Sequence, residues 1–463
     1  MTIEWWAMLP FAALLLAIAT FPLIPATRER WAHLPFQLGL ALLLGIPVAL
    51  WLIIGGEEAW VVHAIVEYAQ FITVLLALFV VSGGIFLAGD IQATPRNNTI
   101  FLAIGGVLAS FIGTTGAAML LIRPLLNTNR ERERRVHTVV FAIMIVANCG
   151  GLLTPLGDPP LFLGLLRGVP FLWTMSLFPQ WLFVNALLLA TYYALDRREV
   201  AKESEFGLAW DASAITPLNV RGRLNFLYLT VIIAAVAFAP SIDLHAIEEG
   251  HPTLLNWIPI RELLMLGAAA ASYLTGDEEA RFSLNGFEWE PIQEVAALFI
   301  GIFLTMIPAL KFLAQIAPTL PLDRVTFFIF SGGLSAVLDN APTYATFFEM
   351  AKTLPGDPRV ADVPELYLVA ISLGSVFCGA ITYIGNGPNF MVKAVAENMG
   401  VAMPSFGGYV GWTFRYLVPV LAAMVLVFLT ESIWWQGLGV LLTLLLLGRA
   451  VLMARTSAGV MVS

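Results

Sequence analysis

Two aspartates stand inside apolar stretches of this sequence, each in a run that no continuous helix accommodates. The first run reads Asn148-Cys149-Gly150-Gly151-Leu152-Leu153-Thr154-Pro155-Leu156-Gly157-Asp158-Pro159-Pro160. Its prolines lack the amide N–H a helix needs, so the segment unwinds, freeing backbone carbonyls and exposing a helix start. An ionised carboxylate at the centre of a membrane helix costs about 2.5–3.5 kcal/mol, so Asp158 must be solvated, protonated or matched by a cation. Such a group can hold a proton and a metal cation in turn, with neutral oxygens completing the shell. The second acid is Asp339, in Leu338-Asp339-Asn340-Ala341-Pro342-Thr343. Asp-Asn-x-Pro is also good helix-start chemistry, and capping is compatible with ion binding.

Neutral oxygens surround both acids in the sequence. A second broken run, Ile381-Thr382-Tyr383-Ile384-Gly385-Asn386-Gly387-Pro388-Asn389, offers amides and hydroxyls but no charge. A further interruption reads Ser110-Phe111-Ile112-Gly113-Thr114-Thr115-Gly116. The candidate binding set is therefore Asp158 and Asp339 as sodium ligands, with Thr154, Asn340, Thr382 and Asn386 adding oxygens. Gly157, Gly385, Asn148, Thr114, Thr115 and Thr343 stand beside them. Threonine routinely bonds its own helix backbone, which accounts for Thr114 and Thr115 equally well. Glu67 and Glu294 read as first-turn acids near the interface, and Arg123, Lys311 and Lys393 as snorkelling side chains.

The elements that position these residues belong to a membrane protein. Of 463 residues, 59% are hydrophobic and only 12% charged, about half the charge of a soluble domain. A net charge of −8 argues against a nucleic-acid partner. The two cysteines give no disulfide framework and no Cys-rich metal site. The start of the chain has no basic n-region or cleavage motif and reads as a retained helix.

Apolar runs long enough to cross about 30 Å of hydrocarbon recur throughout. Full crossings are expected near 5–24, 36–54, 69–89, 138–166, 173–195, 224–240, 260–276, 291–313, 364–396, 411–430 and 433–453. Two more stretches, 98–127 and 322–350, are interrupted at their middles and read as re-entrant hairpins. Arg28, Arg30, Arg96, the run Arg130–Arg135, Arg197, Arg198, Lys202, Arg221, Arg223, Arg281 and Arg455 fall on one face. Acidic loops at Glu57-Glu58, Asp243 with Glu248-Glu249, and Asp357 with Asp362 fall on the other. That asymmetry puts the N-terminus outside and the C-terminus in the cytoplasm of a prokaryotic inner membrane.

The halves resemble each other. Glu67 recurs as Glu294 and Gly105-Gly106 as Gly332-Gly333, while Thr154-x-x-Gly157-Asp158 recurs as Thr382-x-x-Gly385-Asn386. An odd number of crossings between copies inverts the second. Inverted repeats with breaks at matching places mark transporters, and the breaks point to the binding site. The expected fold class is an all-α polytopic membrane protein of inverted-repeat ion-transporter type. Its parts are N-terminal scaffold helices (1–60), a first repeat (61–172), scaffold helices with a polar linker at 196–222 (173–289), an inverted repeat (290–410) and C-terminal helices (411–463).

The runs around Asp158 and Asp339 together resemble the NhaD-type sodium/proton antiporters, members of the ion transporter superfamily that also holds arsenite permeases and citrate and dicarboxylate carriers. The resemblance implies a site built from hairpin tips and unwound helices, and an elevator-like movement of that unit against a scaffold. It also implies a homodimer. Dicarboxylate carriers carry Ser-Asn-Thr at both tips, where this chain has Gly113-Thr114-Thr115 and Asp339-Asn340-Ala341. No nucleotide-binding loop of the form G-x-x-x-x-G-K-[ST] is present, so the expectation is gradient-driven transport and not enzymatic chemistry. Sodium/proton antiport comes first, with sodium and proton as cargo and no cofactor. Cation-coupled uptake of citrate or another small carboxylate, and efflux of arsenite or an oxyanion, are the alternatives.

Overall fold

The computed structural model describes residues 3–22, 24–204, 215–248 and 253–458. Part of the polar linker, residues 205–214, and Glu249 of the acidic loop lie outside the described residues. Among the described residues the architecture is helical, with two small two-stranded ribbons.

The chain opens with α1 (Leu9–Thr20), α2 (Pro25–Trp31), α3 (Leu34–Ile54) and α4 (Glu58–Ser82). Strand β1 (Phe86–Asp90) then leads to a helical hairpin, α5 (Pro95–Ile112) and α6 (Thr114–Thr128). Pro95 occupies the first helical turn of α5, and the Thr94 side chain accepts from Asn97 N, a start encoded locally. Helix α7 (Val136–Ile145) stops at the glycine-rich run, and α8 (Pro159–Leu166) resumes at the two prolines. Proline suits a helix start and no interior, so the same residues that break the span begin its second half.

Helix α9 (Phe178–Val200) is followed by β2 (Thr216–Arg221), which pairs antiparallel with β1. Next come α10 (Asn225–Phe238), α11 (Leu244–Glu248), α12 (Ile260–Thr275) and the long α13 (Glu290–Ile316). A second hairpin follows, α14 (Arg324–Ser335) and α15 (Asn340–Lys352). A short ribbon of β3 (Arg359–Val360) and β4 (Val363–Pro364) precedes α16 (Glu365–Cys378) and, after a break, α17 (Gly387–Asn398). The chain closes with α18 (Phe406–Tyr416), α19 (Val418–Met424) and α20 (Ile433–Ala458).

Among the described residues six helices are long and apolar enough to cross a membrane, or seven if the pair Trp5–Thr20 and Pro25–Trp31, bent by 101°, counts as one. Eleven crossings are expected from hydropathy, two of them, 138–166 and 364–396, interrupted by the broken runs. The difference lies where apolar length is divided: 138–166 and 364–396 each split into two helices around a break, and 224–240 and 260–276 form shorter helices. The apolar composition of these helices makes the chain an integral membrane protein.

Segments from the two halves of the chain meet. Phe71 of α4 stacks on Phe299 of α13 with ring centroids 5.1 Å apart, and Tyr68 donates to the Ala296 carbonyl at 2.8 Å. Each hairpin is tied to the segment that follows it, the first to its break and the second to α16 just before its break. Ser110 Oγ donates to the Gly150 carbonyl at 2.5 Å and Ser335 Oγ to the Ser375 carbonyl at 2.7 Å. A hydroxyl returning from each break closes the loop: Thr154 donates to the Ser110 carbonyl, and Thr382 to the Ala336 carbonyl at 2.5 Å.

Candidate functional site

Asp158 is the centre of the site. It sits at the start of α8, 1% exposed, in extended backbone that turns its carboxyl away from its own helix. Three neutral donors from three other elements converge on it. Thr114, at the start of α6, donates its hydroxyl to Oδ1 at 2.9 Å. Asn386, at the start of α17, donates Nδ2 to the same oxygen at 3.1 Å. Asn340, opening α15, donates Nδ2 to Oδ2 at 2.5 Å. Among the described residues no basic side chain forms an ion pair with Asp158. Both hairpin tips and both breaks therefore reach one carboxylate.

The amides continue behind it. Asn386 Nδ2 also lies 3.2 Å from Asn148 Oδ1, and Asn148 donates to Asn389 Oδ1 at 2.6 Å. These contacts of Asn148 tie the two breaks together, and Asn389 in turn donates to the carbonyls of Gly379 and Thr382 within the second break at 2.8 and 2.9 Å. One acceptor stays open: Asn340 Oδ1 is buried without a hydrogen-bond partner. An amide oxygen left free beside a carboxylate is a ready ligand for a hard cation.

Other predicted residues take supporting places. The Thr154 and Thr382 hydroxyls donate to backbone carbonyls and accept from Leu156 N and Ile384 N, both at 3.2 Å. They hold the breaks in shape. Thr343 donates to the Asp339 carbonyl at 3.0 Å. The half-buried Asp339 carboxyl accepts from Ala341 N at 3.1 Å and caps α15. The next residue, Asn340, is the one that reaches Asp158.

A cavity of about 110 Å³ opens beside the carboxylate, with room for several waters or a small ligand. Asp158 and Thr114 to Gly116 line one side, and Val74, Leu78, Ile292 and Val295 of α4 and α13 the other. Thr115 is half-buried on this wall and does not touch Asp158.

Over residues 1–429 the chain matches a family described as "Putative citrate transport". The chain belongs to this transporter family. It is 23% identical over 411 residues to a 46 kDa membrane protein of Mycobacterium leprae, covering 84% of this chain and 91% of that protein. It is also 25% identical over 367 residues to uncharacterized transporters of Mycobacterium bovis and Mycobacterium tuberculosis, covering 76% of this chain and 79% of each. The family match lies on the citrate side of the resemblance read from the motifs.

In this family member the glycines of the breaks act through close approach. A Cβ on Gly157 would fall 2.0 Å from the Gly151 carbonyl oxygen, and one on Gly385 would fall 2.6 Å from the carbonyl oxygens of Gly379 and Ser335. Backbone cannot yield to such a clash as a side chain does. Gly157→Ala is expected to displace Asp158 and Thr114, whose N–H donates to the Gly157 carbonyl at 2.8 Å. Its transport rate falls at least as far as that of Thr114→Ala, measured side by side in liposomes. A Gly157→Ala rate equal to the parent's would contradict this packing.

Sequence reasoning overlooked Ser110, Ser335 and Asn389 as positioning residues. All three sit in the interrupted runs or one turn before them, and the recurrence of the hairpin ties is the signal that marks the serines. Trp181 and Asn185 of α9, which donate to the carbonyls of Gly150 and Cys149 at 3.0 and 3.2 Å, had no such signal. Glu67, read as an interfacial acid, lies ten positions into α4 and pairs with Arg167 at 2.8 Å, which also approaches Glu349 at 3.5 Å. Glu294 instead accepts from Gln37 Nε2 at 3.1 Å.

Proposed function

We propose that this protein is a secondary active transporter in which Asp158 carries the coupling ion, holding a proton and a sodium ion in turn. The observation behind this reading is one buried carboxylate ringed only by neutral donors, with the Asn340 amide oxygen open beside it. A buried anionic group with a second carboxylate, Asp339, near enough to act on it electrostatically attracts a cation strongly and repels a free polyanion. Loading the cation turns the Asn340 amide so that its oxygen joins the shell; releasing it returns the amide to the carboxylate. Sodium/proton exchange across an inner membrane, with the N-terminus outside, is the function this chemistry supports best. In that scheme the hairpins and broken helices travel as one unit against the α3 and α13 scaffold, exposing Asp158 to each face in turn.

The family match favours a second reading, carriage of citrate or a related small carboxylate. With no basic side chain paired to Asp158, such a cargo enters with its charge offset by bound cations.

The test uses purified full-length protein in liposomes containing a pH-sensitive dye, given sodium, potassium, citrate and arsenite in turn. Saturable proton flux on adding sodium, unchanged by citrate, supports exchange. Accumulation of labelled citrate that needs a cation supports the second reading. No flux with any of the four overturns both.

A further inference from the structure

The last two spans form a hairpin that carries an unpaired basic site far from Asp158. Helices α18 and α19 run to a turn at Thr430–Ser432, and α20 returns from it. Arg415 stands fifteen positions before that turn and Arg449 seventeen after it. At 1.5 Å per residue each lies roughly 23–26 Å from the turn. That is close to the opposite boundary of a hydrocarbon layer about 30 Å thick. The two residues meet there: Arg449 Nη1 donates to the Arg415 carbonyl at 3.3 Å. Both guanidiniums also lie over the Tyr416 ring, at 5.5 and 5.2 Å from its centroid.

Their charge is unmatched by protein. Among the described residues neither guanidinium forms an ion pair. Residues 406–458 contain one acid, Glu431, which sits at the turn and pairs with Arg324 at 2.6 Å. The turn end also bears the exposed tryptophans Trp434 and Trp435, an aromatic belt at the other interface. Around the arginines the surface is apolar and outward-facing, with Phe414 60% and Val451 49% exposed. The α20 span as a whole is only 11% buried in protein. Two cations on a lipid-facing surface, at headgroup depth, need an anion supplied by the membrane.

We infer that Arg415 and Arg449, stacked on Tyr416, bind the phosphate headgroup of an anionic phospholipid in the leaflet opposite the tryptophan turn. Guanidiniums suit this task because their fork of donors meets phosphate oxygens pairwise, and the tyrosine face fixes both forks without an acidic partner. The arginine excess at this end identifies the leaflet as the cytoplasmic one.

Native mass spectrometry of the full chain, in mixed micelles of phosphatidylglycerol and phosphatidylcholine, tests the site. The parent protein is expected to retain phosphatidylglycerol in preference to phosphatidylcholine. The Arg415→Gln, Arg449→Gln variant should lose that preference by roughly tenfold. Arg455→Gln, on the same end but outside the stack, should keep it. If the double variant folds poorly, Arg449→Gln alone should still lower retention, and Arg415→Lys, Arg449→Lys should fall between parent and double variant. Equal retention by parent and glutamine variants overturns the inference. So does stabilisation by inorganic phosphate matching that by phosphatidylglycerol in a parallel melting experiment, because the ligand would then not be a lipid.

Discussion

Replacing Asp158 by asparagine is expected to leave the protein folded and to abolish sodium-driven proton flux in liposomes. The fold survives because the new side chain keeps the shape and an oxygen at Oδ1, where Thr114 and Asn386 donate. Its new amide hydrogens face Asn340, whose amide can turn to present the oxygen that lacks a partner in the parent. The turned amide puts its NH2 where its oxygen lacked a partner in the parent, so one unpartnered group replaces another and the melting temperature in detergent should stay near the parent's. What disappears is the negative charge, and with it the capacity to hold a proton and a cation by turns. Asn340→Ala should act more mildly. It deletes one hydrogen bond to a charged group, about 1.5–3 kcal/mol, and should raise the sodium concentration for half-maximal flux by roughly tenfold or more while flux persists. Full sodium-driven flux in Asp158→Asn would remove the assigned role, and an unaltered sodium response in Asn340→Ala would remove Asn340 from the ion shell.

Much of the site was legible because breakage is written locally. Prolines at 159, 160 and 388, and glycines at 113, 157 and 385, set where helices stop and restart, whatever packs around them. The matching order of motifs in the two halves then indicated which interrupted segments belong together. What stayed hidden was the use to which each oxygen is put. Thr154 and Asn340 look equivalent as donors of neutral oxygens, yet one hydroxyl is taken up by the Ser110 carbonyl while one amide oxygen stays open. Nor does the sequence show that one Asp339 carboxyl oxygen accepts from Ala341 N. Such choices depend on sub-ångström placement of segments more than a hundred residues apart, which no local pattern carries. The same holds for charge. Arg130 to Arg135 reads as a solvated cytoplasmic run, yet Arg132 is 3% exposed and belongs to the interior.

That buried arginine gives the largest expected effect on stability. Asp196, near the end of α9 and fully buried, forms an ion pair with Arg132 Nη2 at 2.6 Å and accepts from His137 Nε2 at 2.7 Å and Asn98 Nδ2 at 3.2 Å. These partners come from the connection after α6, the start of α7 and the start of α5, so one carboxylate ties the first hairpin and the first broken helix to α9. Asp196→Ala leaves the buried guanidinium with the neutral Asn129 Oδ1 at 3.1 Å and Glu203, 3.8 Å away, as its remaining side-chain partners among the described residues. Breaking a buried pair from one side costs about 3–5 kcal/mol, because the remaining charge has no water to replace its partner. An exposed pair such as Lys393 with Glu397, 2.8 Å apart and on one helix, is worth about 0.3–0.5 kcal/mol. Thermal unfolding in detergent should therefore show a large drop for Asp196→Ala and almost none for Glu397→Ala. Asp196→Asn should fall between them, since its amide oxygen still accepts while the charge is gone. The double variant Arg132→Met, Asp196→Leu should recover most of the loss, because removing both charges leaves nothing unpaired. If Asp196→Ala melts with Glu397→Ala, the pair is solvated in the membrane and the anchor for the first hairpin lies elsewhere.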